Sequence, residues 1–451
     1  MSDTDTVDPR PLVSRPAGAG LQGSMTVPGD KSISHRALIL GAMAIGRSRI
    51  DGLLEGDDVV ATARALQAMG VPIRRLGDGQ WQVDGVGVGG LTEPSSVIDA
   101  GNSGTGARLL IGLAAGHGFT TFFTGDASLR SRPMDRVMTP LMQMGAHFTA
   151  RSDGRLPLAV SGSASPMPIR YRSPVASAQI KSAVLLAALN TPGRTTVIEP
   201  RRSRDHTENM LRHLGATVTA ETTEDGENAV SLTGQCELDA ADFVIPGDPS
   251  SAAFPLVAAA IVPGSAVTIE NVGVNPLRAG LLTCLAEMGA EIDVRQRPPI
   301  GGEPAADITV RGSRLTGIVV PPDRAPSMID EYPILCVAAA LADGRTEMRG
   351  LSELRVKETD RVRAMAEGLA ACGVAVQELP DGLIVTGGKR PKGGATVASH
   401  MDHRIAMSFL ILGLAAQSPV TIDGGAIIDT SFPGFVTLMT ALGATIEEAT
   451  T

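Results

Sequence analysis

The run Arg355-Val356-Lys357-Glu358-Thr359-Asp360-Arg361 sets a carboxylate between cations. On a helix, these spacings put Lys357, Glu358 and Arg361 on one face. Such a face can hold an anion and move a proton against it, or it can be an exposed salt-bridged surface and nothing more. Two further segments favour chemistry. Ser327-Met328-Ile329-Asp330-Glu331-Tyr332 brings a carboxylate to the start of an apolar run, with Asp330 as a simple helix cap the alternative. Asp402-His403-Arg404 repeats that arrangement with an added arginine.

Basic and small residues gather in the same way in the first half of the chain. Lys31-Ser32-Ile33-Ser34-His35-Arg36 opens an apolar helix, and a lysine there opposes the helix dipole unless an anion lies between them. The plainer reading makes Ser32 or Ser34 an N-cap and leaves Lys31 and Arg36 in solvent. Gly101-Asn102-Ser103-Gly104-Thr105-Gly106 either lets backbone N–H groups approach a ligand or is only a turn. Ser177-Ala178-Gln179-Ile180-Lys181 places a hydroxyl and an amide at a helix start, to orient a polyol or carboxylate, with Ser177 as a simple cap the alternative. Arg130 and Arg132 precede Pro133, and Arg201, Arg202 and Arg204 precede His206. Arginine grips carboxylate and phosphate through a two-pronged fork, although a charged surface loop reads the same way.

A repeat must position these residues. Gly70, Gly145, Gly215, Gly289, Gly373 and Gly443 each close a segment, are followed by Ala or Val, and lie 70 to 84 residues apart. Each unit holds an apolar helix with no polar face, at 37–45, 107–115, 180–189, 252–261, 332–341 and 405–416. A short strand follows, then an amphipathic helix stopped by the glycine, then further strands, giving the order β-α-β-α-β-β. Right-handed connections send the helix N-termini of a unit to one side, where they attract anions. The charged segments fall at these helix starts but do not recur in all six units, which weighs against a purely architectural role.

A chain of 451 residues is too long for one core and divides as three repeats plus three. The phrase Val27-Pro28-Gly29-Asp30 returns as Ile245-Pro246-Gly247-Asp248, which puts the seam nearby. The expected organisation is an N-terminal strip at 1–23 packing with the second lobe, repeats 1–3 at 24–242 and repeats 4–6 at 243–451, with residues 1–20 mobile. Only 3% of residues are aromatic and the net charge is −9, which argues against nucleic-acid binding. Cys236, Cys284, Cys336 and Cys372 show no metal-ligand spacing and suit a reducing cytoplasm. Residues 1–11 are acidic and lack the apolar core of a signal peptide, and no apolar stretch is long enough to span a bilayer.

In order along the chain, PGDKSISHR at 28–36, GNSGTG at 101–106, RPM at 132–134, SAQIKSA at 177–183, RDHTE at 204–208, PGDPSSAAF at 246–254, DEYP at 330–333, RVKETDR at 355–361 and DHRIAMSF at 402–409 resemble the EPSP synthase family, the 3-phosphoshikimate 1-carboxyvinyltransferases. The resemblance covers nearly the whole chain. It implies an α/β protein of two lobes, each of three β-α-β-α-β-β repeats around buried parallel helices, an inside-out α/β barrel. It implies transfer of the enolpyruvyl group of phosphoenolpyruvate to the 5-hydroxyl of shikimate 3-phosphate by a cytoplasmic monomer with no metal or cofactor, closing over its substrates. By the same resemblance Lys31, Ser32, Arg36, Ser177, Ala178, Gln179, Arg204, Asp330 and Lys357 hold shikimate 3-phosphate. Lys31, Gly104, Arg132, Gln179, Arg361 and Arg404 hold phosphoenolpyruvate. Asp330 is the expected base and Glu358 the expected proton donor, with Lys31 a partner in either step.

Glycine at position 104 implies sensitivity to glyphosate, which competes for the phosphoenolpyruvate pocket in this family. The chain departs from one common family form, which carries a lysine before a late Thr-Phe-Pro stretch; here Thr430-Ser431-Phe432-Pro433 offers Thr430, as in the bacterial subgroup called class II. Two other readings stand beside this one. A sister transferase moves the same group to UDP-N-acetylglucosamine and typically uses a loop cysteine, yet no cysteine occurs before Cys236. A noncatalytic repeat scaffold would place its special residues periodically, which these are not.

Overall fold

All six recurrent glycines take left-handed backbone angles, with φ between +79° and +103°, and each follows the second helix of its repeat. A side chain is disfavoured there, so the glycine stops the helix and turns the chain into the next strand. The structure, a computed structural model, describes residues 10–449; the expectation made for the first nine lies outside the described residues. For residues 10–20 mobility is corrected. Leu12–Arg15 is a strand paired on both sides, to Val420–Ile422 and to Thr445–Glu448.

The helices in chain order are α1 (Lys31–Met43), α2 (Asp57–Ala68), α3 (Gly104–Ala115), α4 (Ala127–Ser131), α5 (Asp135–Gln143), α6 (Ala178–Ala188), α7 (His206–His213), α8 (Pro249–Ile261), α9 (Gly280–Glu287), α10 (Tyr332–Leu341), α11 (Arg361–Ala371), α12 (His403–Ala415) and α13 (Phe435–Ala441). Among the described residues the strands form six four-stranded sheets, one for each repeat. In the second, Ile98–Asp99 runs parallel to Thr120–Thr124, which pairs antiparallel with Arg155–Ser161, and that strand forms a hairpin with His147–Arg151. This is the expected β-α-β-α-β-β unit with the short helix α4 added ahead of α5.

Two compact units result. One holds Gly29–Pro246 together with Pro299–Glu303, and the other holds the residues up to Pro28, Gly247–Pro298 and the chain from Pro304 onward. These boundaries fall a few residues beyond a seam at 23/24 and 242/243. The reason is the strand that opens each half. Gln22–Thr26 pairs parallel with Ala266–Gly273 in the sheet of repeat 4, and Phe243–Val244 pairs parallel with Ile45–Asp51 in the sheet of repeat 1. Each precedes the helix of one half in sequence and completes a sheet of the other.

Each unit has its own core. The helices α1, α3 and α6 lie in one apolar cluster, and α8, α10 and α12 in the second. Their interiors are buried all round, as an apolar helix with no polar face requires. The backbones of α3 and α6 touch at Gly112, where a Cβ would stand 2.5 Å from the Cα and the carbonyl oxygen of Ala183. Among the described residues no helix is long and apolar enough to cross a membrane.

Candidate active site

In the unit of repeats 4–6 the charged segments converge on one arginine. Arg361 opens α11 and is 1% exposed, yet it faces three carboxylates. Its Nε donates to Asp402 Oδ2 at 2.7 Å, Nη2 donates to Glu358 Oε2 at 2.6 Å, and Nη1 lies 3.4 Å from Asp330 Oδ1. Lys357 Nζ stands 3.4 Å from the same Asp330 oxygen. Arg404 donates to the Asp330 carbonyl at 3.1 Å and lies 3.8 Å from Glu331. Thus Asp330, Lys357, Glu358, Arg361 and Arg404 meet within one unit.

The local structure differs from the helical face read in the sequence. Lys357, Glu358 and Thr359 precede the helix, which starts at Arg361 with Asp360 as its N-cap accepting from Arg363 N. The cap ends the helix on its N-terminal side, so the three charges converge through a bend. Asp330 is no cap either, since it sits in a 3-10 turn before α10 and spends its carboxylate on cations. The residue that does cap is Asp402, which accepts from Arg404 N and Ile405 N at the start of α12. It therefore fixes α12 and Arg361 together.

Burial alone would raise the Glu358 carboxyl, but Arg361, a backbone N–H, His403 and Arg404 outweigh it and hold it at about 2. Glu358 is thus ionised in the free chain. Of the carboxylates on Arg361 it is the most exposed, at 36%, against 16% for Asp330 and 0% for Asp402. An incoming anion would displace it first.

Behind Arg404 lies a buried polar chain that sequence reading missed. Arg278 donates to Ser250 Oγ at 2.8 Å and Asp248 Oδ1 at 3.2 Å, and the Ser250 hydroxyl donates in turn to Glu331. Arg278 stands in a turn ahead of α9, with nothing in its neighbours to mark it. Thr430 is exposed and donates to Ile427 O at 2.7 Å.

In the unit of repeats 1–3 the helix starts again carry the polar groups. Asp30, not Ser32 or Ser34, caps α1 by accepting from Ile33 N, and Ser34 accepts instead from Leu54 N. Lys31 Nζ reaches Asp58 Oδ2 at 3.1 Å. Arg36 is buried, not solvated: Nε donates to Thr207 Oγ1 at 2.7 Å, Nη2 to Ser182 Oγ at 2.8 Å and Nη1 to Ser32 O at 2.9 Å. Burial lowers its pKa to about 10, against the pull of Glu208, Asp30 and Glu303, while Arg204 adds a like charge. Arg130, Arg201 and Arg202 are exposed, as the surface-loop reading held, whereas Arg132 and Arg204 are half-buried.

His35 joins the first two motifs. Its Nδ1 is 2.8 Å from Thr62 Oγ1 and its Nε2 3.5 Å from Ser103 Oγ, the N-cap of α3. Burial, then Lys31 and Arg36, lower its pKa to about 3, so the ring is neutral. Ser177 caps α6 as the plainer reading held, and Gln179 on the first turn donates to Thr105 Oγ1 at 3.0 Å. Ala178 is the first residue of that helix.

Gly104 lies beneath two guanidinium groups. A Cβ there would stand 2.9 Å from Arg108 Nη1 and 3.3 Å from Arg132 Nη1. Arg108 donates to Gly104 O and Pro133 O, and burial, followed by Arg132 and Arg136, lowers its pKa to about 10. Arg132 donates to Asn102 Oδ1 at 3.0 Å. Sequence reading passed over Arg108, though its place one helical turn beyond Gly104 was the available signal.

The family model described as EPSP synthase (3-phosphoshikimate 1-carboxyvinyltransferase) matches residues 16–439. A protein of Paramagnetospirillum magneticum named 3-phosphoshikimate 1-carboxyvinyltransferase is 62% identical, over 97% of this chain and 98% of its own length. One of the same name from Rhodospirillum rubrum is also 62% identical, over 98% of each. The solved structure of an EPSP synthase from Acinetobacter baumannii superposes with a TM-score of 0.90 at 43% identity, over 98% of this chain and all of that one.

Proposed function

The chain belongs to the EPSP synthase family and catalyses its reaction, and on that premise we propose how its residues divide the work. The reaction joins phosphoenolpyruvate to shikimate 3-phosphate in the shikimate pathway. A proton adds to the methylene carbon of phosphoenolpyruvate while the 5-hydroxyl of shikimate 3-phosphate attacks the adjoining carbon and gives up its own proton. The tetrahedral adduct then loses a methyl proton and inorganic phosphate, leaving the enolpyruvyl ether. The protein has to supply a base, an acid and cations matched to the anions.

The observation that carries this reading is the set of charges around Arg361. Asp330, between Lys357 and Arg361, is a carboxylate and takes the proton of the 5-hydroxyl. Arg361 and Arg404, with Lys31, Arg132 and the N–H groups beside Gly104, hold phosphoenolpyruvate, and Gln179 orients it. Arg361 is spent on carboxylates in the free chain, so the substrate anion exchanges with Glu358, the most exposed of them. That exchange separates Glu358 from its strongest neutralising partner and brings negative charge near it, and both effects raise its pKa toward that of a proton donor. Lys31 assists in either step. Ser32, Arg36, Ser177, Ala178, Gln179, Arg204, Asp330 and Lys357, with Lys31, hold shikimate 3-phosphate.

Glyphosate competes with phosphoenolpyruvate beside Gly104, and the enzyme works as a cytoplasmic monomer without a cofactor. The test is the initial rate of phosphate release from phosphoenolpyruvate and shikimate 3-phosphate at increasing glyphosate. Competitive inhibition against phosphoenolpyruvate is expected. Turnover that ignores millimolar glyphosate would reject the assignment of that pocket.

A further inference from the structure

A second charged cluster lies wholly inside the unit of repeats 1–3, and no step above uses it. Lys181, on the second turn of α6, is 1% exposed and holds two carboxylates, Glu199 Oε2 at 3.0 Å and Glu208 Oε1 at 2.8 Å, themselves 0% and 2% exposed. Burial works against its ammonium, but Glu208 and Glu199 prevail and push its pKa up. Burial pushes the Glu208 carboxyl up against the pull of Lys181.

The fold does not require such a cluster. The corresponding central helices α8 and α10 carry no charged residue, and beyond the serines at the start of α8 they pack through largely apolar side chains. Burying three charges is expensive, and an apolar replacement of equal volume commonly serves stability as well or better. What the charges add is fixed geometry in three segments. Glu199 Oε1 accepts from the backbone N–H of Ser177 at 3.2 Å and from the hydroxyl of Ser203 at 2.5 Å. Lys181 Nζ donates to the Ser203 carbonyl at 3.3 Å, next to Arg204. Ser182, which follows Lys181, and Thr207, which precedes Glu208, are joined at 2.7 Å, and both accept from Arg36. One cluster thus sets Ser177, the Ser203-Arg204 turn and Arg36.

We propose that Lys181, with Glu199 and Glu208, is a positioning cluster for the shikimate 3-phosphate site, holding the segments that carry Ser177, Arg204 and Arg36 in register. The inference rests on the functional reading above. It touches no reacting atom, so its mark is lost affinity for one substrate. Removing the charges while keeping the volumes loosens the three segments together, and phosphate recognition by a preset fork suffers most.

The test compares the wild-type chain with Glu199→Gln and with the charge-free triple variant Lys181→Met, Glu199→Gln, Glu208→Gln. Isothermal titration with shikimate 3-phosphate is expected to show a dissociation constant raised roughly tenfold in the triple variant and by a smaller factor in Glu199→Gln. The KM for phosphoenolpyruvate at saturating shikimate 3-phosphate should stay within roughly twofold. Unchanged affinity in a folded variant, whatever its melting temperature, would overturn the proposal. If the triple variant does not fold, Glu199→Gln decides by the same ratio of the two substrates. A wild-type chain that binds no shikimate 3-phosphate would sink the functional reading itself.

Discussion

Arg361 shows what one residue can organise. It is buried, its forks are filled by Asp402, Glu358 and Asp330, and only Glu358 is open enough to leave. Glu358→Gln keeps the shape and removes the acid, so single-turnover formation of the tetrahedral intermediate should slow by roughly 100-fold or more. An unchanged rate would remove Glu358 from the proton-donor role. His35 gives a prediction of a different kind. Its folded pKa of about 3 lies below the ordinary 6.5, so the unfolded chain takes up the proton first. Its contribution is complete above pH 6.5 and is lost as pH falls toward 3, by up to about 1.4 kcal/mol per pH unit. In urea unfolding, His35→Asn should therefore lose stability less steeply than the wild type between pH 6.5 and 4. Parallel slopes would show that the ring takes up its proton at the same pH in the folded and unfolded chain.

The elements were legible where a side-chain pattern is local. The apolar interiors of α3, α6, α8, α10 and α12 and the glycine stops could be read directly, because burial all round and a left-handed turn each leave a mark in a few adjacent residues. Asp330, Glu358 and Arg404 could also be named, since each stands beside a helix start. Three things stayed hidden. The Lys357 and Glu358 bend depends on Asp360 capping α11, the exchanged strands Gln22–Thr26 and Phe243–Val244 depend on distant partners, and Lys181, Arg108 and Arg278 pass for surface charges until their neighbours are known. The glycine stops can be graded. Gly443 has φ +99° with open space where a Cβ would go, so Gly443→Ala should cost about 1–2 kcal/mol of strain alone. At Gly70 the Cβ would also meet Thr92 Oγ1 at 2.6 Å, so Gly70→Ala should cost more. Equal midpoints for the two variants in urea would remove the steric part of that argument.

At the scale of the molecule, six copies of one unit build two separate cores, and the copies differ chiefly in what stands at their helix starts. Taken by itself, one unit holds an arginine among carboxylates, and the other holds a lysine, a neutral histidine and arginines around glycine turns. A reaction between two anionic substrates asks for groups of both kinds, because attraction must be strong and proton transfer must still occur. The most direct test is phosphorus NMR of the chain with phosphoenolpyruvate and each acceptor. With shikimate 3-phosphate, inorganic phosphate should appear mole for mole with a new phosphomonoester, and UDP-N-acetylglucosamine should yield neither. Phosphate release that requires UDP-N-acetylglucosamine, or no release with shikimate 3-phosphate, would contradict the account.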